Sequence, residues 1–149
     1  MLNRLYLGVD FVCASGESVE SNVNLSLTIG SYSEVQSRLD GGELNINLND
    51  KCFVPDKVHN IKVNNDNVVI KGSVGSKLVF DAKNDNMSIF TINGDNVRLE
   101  NIVFKNCDSI RWGGAVRING NGCTVINCDF IGNRGHFGGL GVAENTLIF

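Results

Sequence analysis

The sequence predicts an all-β fold, a right-handed single-stranded parallel β-helix with about three strands per coil and a short N-terminal capping helix. Three observations predict it. The run Gly94–Phe104 aligns without gaps on Gly120–Phe130, 26 positions further on. Strand-like runs recur downstream of one short helical pattern, with no helices between them. The chain is rich in Asn, carries 17 Gly and a single Pro, a mixture that favours strands joined by tight turns over helices. A repeat of this size cannot bury its own apolar face, so successive repeats must stack around one continuous core. An antiparallel sandwich would space short strands similarly, but it would not produce an in-phase repeat.

The elements follow in order. Residues 1–30 form an N-terminal segment, signal-derived or without regular structure, because Leu5, Tyr6, Leu7, Gly8 and Val9 follow Arg4 as in a leader while Asp10 cuts the apolar stretch short. The β-helix is expected over 31–149. Ser33-Glu34-Val35-Gln36 has the S-x-x-Q form of a capping box, Val35 and Leu39 share a helical face, and Gly41-Gly42 ends the pattern. This helix should cover the open end of the first coil. Strands are expected over 44–48, 59–63, 68–71, 77–80, 88–92, 97–105, 115–118 and 123–131.

Within 97–105 the apolar alternation Val97, Leu99 changes phase at Asn101 and resumes as Ile102, Phe104. A one-residue phase change turns every side chain to the other face unless the chain bends. Asn127 occupies the same place one repeat later and Gly72 one repeat earlier. Gly72, Asn101 and Asn127 are therefore the expected structural corner, since Gly and Asn adopt the left-handed conformation such a bend needs. The two amides are expected to hydrogen-bond along the axis. Gly113-Gly114-Ala115 returns as Gly138-Gly139-Leu140, 25 positions on. Residues 138–149 open a further coil and stop inside it. The β-helix thus reads as C-terminally incomplete, with an edge open to end-to-end self-association.

Two motifs carry a resemblance. Phe130-Ile131-Gly132-Asn133 matches an F-x-x-N repeat and Gly113-Gly114-Ala115-Val116 a G-G-A-[ILV] repeat, and in both the chain resembles the polymorphic outer membrane proteins of chlamydiae. It is also similar to adhesin-like proteins of methanogenic archaea, in which Asn-Cys-x-Phe, here Asn127-Cys128-Asp129-Phe130, recurs with each coil. The resemblance covers roughly 31–140. Two places depart from it: Phe104-Lys105-Asn106-Cys107 shifts the Asn, and Gly138-Gly139-Leu140-Gly141 lacks the Ala. The resemblance implies a pectin-lyase-like β-helix at the cell surface or outside the cell, used for adhesion and without catalytic residues.

The net charge of −3 and scattered Lys and Arg provide no track for a phosphate backbone, so nucleic acid is not an expected partner. No apolar run approaches the about 18 residues needed to span a bilayer. The five cysteines lack C-x-x-C spacing; Cys123 and Cys128 take the places of Val97 and Ile102 and read as small core residues. Asp66 and Asp95 fall in equivalent turns, where stacked carboxylates could meet Ca²⁺, although turn geometry alone calls for Asp there. Asp108 and Asp129 read as solvent-facing. His59 and His136 have no ligand-spaced partners, and no metal or cofactor is expected. Asn24-Leu25-Ser26 and Asn86-Met87-Ser88 have the form of glycosylation sequons.

One cluster stands out as a binding candidate. Arg111-Trp112 and His136-Phe137 each precede a Gly-Gly pair, and stacking would gather Arg111, Trp112, Arg134, His136 and Phe137 into an aromatic platform edged by donors. The expected function is a non-catalytic, surface-exposed or secreted adhesin-like module presenting a face to glycans or cell-surface macromolecules. The alternative is a fragment of a carbohydrate-active β-helix enzyme, a lyase or hydrolase, whose catalytic region lies elsewhere.

Overall fold

Three parallel sheets wind around one core in a computed structural model that describes residues 10–13, 24–48, 51–75, 78–109, 114–135, 140–141 and 147–149. In chain order the elements are β1 (Asp10–Cys13), β2 (Asn24–Ser31), α1 (Tyr32–Asp40), β3 (Asn45–Leu48), β4 (Lys51–Val54), β5 (Ile61–Val63), β6 (Val69–Gly72) and β7 (Leu78–Asp81). They continue as β8 (Phe90–Ile92), β9 (Arg98–Glu100), β10 (Ile102–Lys105), β11 (Val116–Ile118), β12 (Thr124–Ile126), β13 (Asp129–Ile131), β14 (Leu140–Gly141) and β15 (Leu147–Ile148). The first face is β1-β2-β4-β7-β10-β13, the second β5-β8-β11-β14 and the third β3-β6-β9-β12-β15. Each coil visits the faces in the order first, second, third, giving a β-solenoid of about four turns.

The interior is built by strand alternation. On the second face Ile61, Phe90 and Val116 stack in register, as do Val63, Ile92 and Ile118, and all six are buried. On the first face Phe53, Phe80, Phe104 and Phe130 occupy one register position. Their rings stack at centroid distances of 5.1, 6.0 and 5.2 Å with tilts of 21–23°. Phe90 meets Phe80 and Phe104 edge-on. Such pairs add about 0.5–1.5 kcal/mol each beyond their buried area.

The first face is apolar on both sides. Cys52, Val79 and Val103 alternate with the inward phenylalanines, yet they are also buried and form a second cluster with Val54. The N-terminal strands explain this. Residues 24–27 of β2 pair with β1 while residues 28–31 pair with β4. In a flat sheet β1 would stand roughly 14 Å from β7 at the usual strand spacing, but its Cα atoms come within 8 Å of both β4 and β7. The first strands therefore fold over the outside of the first face. Residues 24–30, placed before the β-helix in the sequence reading, belong to its sheet.

Helix α1 takes the second-face position of the first coil and packs against β5, burying Tyr32, Val35 and Leu39. It covers that end of the face, as the sequence led one to expect. Its start differs. Ser31 is the N-cap and Glu34 accepts its backbone N–H at 3.2 Å, whereas the Ser33 hydroxyl donates to Asp56. The capping box is S-x-x-E from Ser31, because the chain leaves β2 directly into the helix. Gln36 completes the fit: its amide oxygen accepts the Lys62 N–H at 2.8 Å and its amide nitrogen donates to the Lys62 carbonyl at 3.1 Å. One side chain thus satisfies backbone groups that a neighbouring strand would have paired with.

Candidate functional site

Corners and turns decide what the faces can present. Asn101 and Asn127 have φ of 57° and 50°. Asn127 Nδ2 donates to Asn101 Oδ1 at 2.6 Å, and Asn101 Nδ2 donates to the Gly72 carbonyl at 3.3 Å. The expected corner ladder is present. Gly72 serves it differently from the expectation, since its backbone is not left-handed; a Cβ there would lie 2.7 Å from the Asn101 carbonyl oxygen and 2.9 Å from the Leu78 nitrogen. Close approach, and not backbone conformation, calls for glycine.

A second ladder borders the second face. The turns Asn64-Asn65-Asp66-Asn67, Asn93-Gly94-Asp95-Asn96 and Asn119-Gly120-Asn121-Gly122 are stacked. Asn93 Nδ2 donates to Asn64 Oδ1 and Asn119 Nδ2 to Asn93 Oδ1, both at 2.8 Å. Packing is tight enough that a Cβ on Gly120 would lie 1.9 Å from the Gly94 carbonyl oxygen. Asp66 Oδ1 accepts the Asp95 N–H and Asp95 Oδ1 accepts the Asn121 N–H, each at 2.8 Å. These carboxylates clamp successive coils together. Strand alternation turns Lys62, Thr91 and Arg117 outward in one register column beside Asn64, Asn93 and Asn119. The second face therefore exposes two parallel polar columns. Each ladder amide retains hydrogen-bonding capacity after its ladder bonds are made.

The sequence reading missed this array, although the signal was legible as Val63-Asn64, Ile92-Asn93 and Ile118-Asn119 at matching points of three repeats. The residues it favoured lie elsewhere. Arg111, Trp112, His136 and Phe137 fall outside the described residues. Arg134 is exposed, bridges the backbone of Asp108, and carries its Nε 3.7 Å from Asp108 Oδ1. The register differs on the two sides of that cluster, since Arg134 bridges Asp108, 26 positions back, and Leu140 pairs with Val116, 24 positions back, not the uniform 25 that the Gly-Gly motifs suggest.

Other carboxylates hold local structure. Buried Asp81 accepts the Lys83 N–H and the Asn106 amide, Asp85 lies 2.6 Å from His59 Nδ1, and Arg98 Nε donates to Glu100 at 3.0 Å. Asn133 of the F-x-x-N motif bonds back to the previous coil, accepting the Cys107 N–H at 3.0 Å and donating to the Phe104 carbonyl at 2.9 Å. Burial pushes the Cys107 and Cys123 thiols up, so neither is poised as a nucleophile. Cys123 is buried and Cys128 packs against the core, as expected; Cys52 is disulfide-bonded. Among the described residues no group of three His, Cys, Asp or Glu is arranged to hold a metal ion. No helix there is long and apolar enough to cross a membrane.

One concavity lies on the third face, at its corner with the first. It measures about 270 Å³ and is lined by Asn47, Lys71, Gly72, Ser73, Val74, Glu100 and Asn101. Comparison of the chain with family models, curated proteins and solved structures finds no match.

Proposed function

We propose that this chain is a non-catalytic, adhesin-like β-helix module whose second face binds glycans or other macromolecules at a cell surface. The observation that carries the proposal is the pair of in-register columns Lys62-Thr91-Arg117 and Asn64-Asn93-Asn119. They set cationic and amide groups at a fixed repeat along a rigid strand-built surface, which suits an extended polymer of hydroxyls and carbonyls. Rigid backbone support lowers the ordering cost of binding. The disulfide at Cys52 accords with an oxidising compartment. The resemblance of Phe130-Ile131-Gly132-Asn133 and Gly113-Gly114-Ala115-Val116 to surface β-helix repeats points the same way. Asp66, Asp81 and Asp95 accept hydrogen bonds that hold turns and neighbouring coils together, a structural use that supports the binding-module reading over the enzyme alternative.

The test is a screen of the intact chain on immobilised neutral and acidic glycans, followed by mass spectrometry of what is released. Saturable binding with the glycan recovered intact is the expected result. Protein-dependent cleavage of polygalacturonate or alginate would overturn the non-catalytic reading, and a blank screen would remove the glycan ligand.

A further inference from the structure

The third face carries a separate feature. Asn47, Lys71 and Glu100 face outward at one register position of β3, β6 and β9. Coil two leaves this face through the longer connection that begins at Ser73, Val74 and Gly75, whereas the next coil turns at Asn101 alone. Ser73 and Val74, at the start of that connection, line the 270 Å³ cavity together with the column. Its floor is rigid, since the Asn101 amide is held between Gly72 and Asn127.

We propose that this cavity binds a single neutral pyranose ring, a site distinct from the second face. Three features choose that chemistry. The volume falls just below the roughly 300–1,000 Å³ of sites for drug-sized ligands, so it suits one ring and not an oligosaccharide. Lys71 and Glu100 stand in adjacent coils with opposite charge, so the wall selects neither an anion nor a cation; it offers donors and acceptors together, as vicinal hydroxyls require. Arg98 holds one Glu100 oxygen, which leaves the other for a ligand hydroxyl, while Lys71 and Asn47 donate to ring oxygens. Val74, 93% exposed at the rim, supplies an apolar contact for the C–H side of the ring.

The test is a titration of the ¹⁵N-labelled chain with the methyl pyranosides of glucose, galactose and mannose, and with glucuronate as the charged control. Saturable shifts at residues 71–74 and 100–101 from at least one neutral pyranoside, exceeding those from glucuronate, are expected. Lys71→Ala and Glu100→Gln should each weaken that binding about tenfold or more while their remaining amide spectra and second-face glycan binding stay unchanged. No saturable shift with any neutral ring, shifts confined to other surfaces, preference for glucuronate, or full binding by both variants would each overturn the proposal. Loss of second-face binding with the cavity titration intact would sink only the adhesin-like reading.

Discussion

At the scale of single residues, left-handed asparagines decide where the coils turn. Asn67, Asn96, Asn101, Asn106 and Asn127 all have φ between 50° and 62°. Asparagine tolerates this region and can bond to the neighbouring coil at the same time, which glycine cannot do. Asn101 is buried and is bonded on both sides. Asn101→Leu should therefore lose about 2–3 kcal/mol, combining the left-handed strain of a branched residue with unpaired buried groups. Asn101→Gly should lose less, and the more exposed Asn127→Leu should also lose less. Chemical denaturation of the three variants checks the order; equal midpoints would remove the ladder as a source of stability.

The buried thiols give a second residue-scale prediction. An unfolded thiol ionises near about 8.5, and burial raises Cys107 and Cys123 above their ordinary value. The folded state thus prefers the protonated thiol. Its stability is complete below the unfolded value and is lost as pH rises through it toward the folded one. Melting temperature should fall above pH about 8.5, and Cys123→Val, which restores the residue found at position 97, should flatten the decline. Parallel decline in both proteins would show that Cys123 does not contribute to it.

At the scale of elements, the aromatic ladder holds the first face to the second face and to α1. Phe80 is its centre, touching Tyr32, Phe53, Phe90 and Phe104. Phe80→Ala should cost about 3–5 kcal/mol, as a fully buried aromatic does, whereas Phe130→Ala at the half-buried end should cost clearly less. Urea midpoints of the two variants read the difference, and equal losses would mean that the stack is not graded by burial.

Legibility in the sequence followed burial. The second and third faces are wetted outside, so β5, β6, β8, β9, β11 and β12 carry the alternation that located them. Strand β4 was missed because Cys52 and Phe53 are both buried, one under the N-terminal strands and one in the core, which weakens the period-two signal; β7, buried throughout, was located nonetheless as an apolar run. The corner asparagines were legible because their backbone requirement recurs at each coil. The contribution of Ser73 and Val74 to the cavity was not, because it arises from a loop-length difference at one coil and repeats nowhere.

At the scale of the whole molecule, a solenoid contacts mainly itself one coil away, so its outer surface is free to be specified independently of its core. Lys62, Thr91 and Arg117 can differ from coil to coil because only their inward neighbours are constrained. Exposure is also a liability. Ile131, Ile148 and Phe149 are exposed on the edge strands β13 and β15 or next to them, and such apolar edges template association. Light scattering across a concentration series should show growing mass, reduced in an Ile148→Lys, Phe149→Lys variant; a strictly monomeric wild type would contradict this.

The proposed function rests on an outward strand face and on no catalytic centre. It is tested most directly by quantitative glycan-array binding of the wild type beside a Lys62→Glu, Arg117→Glu variant of matched melting temperature. Both substitutions lie on exposed positions of the second face, so the fold should be retained. The wild type should bind, and the variant should lose at least about tenfold in affinity, since two favourable charged contacts become repulsive. A variant that binds as tightly as the wild type would contradict it.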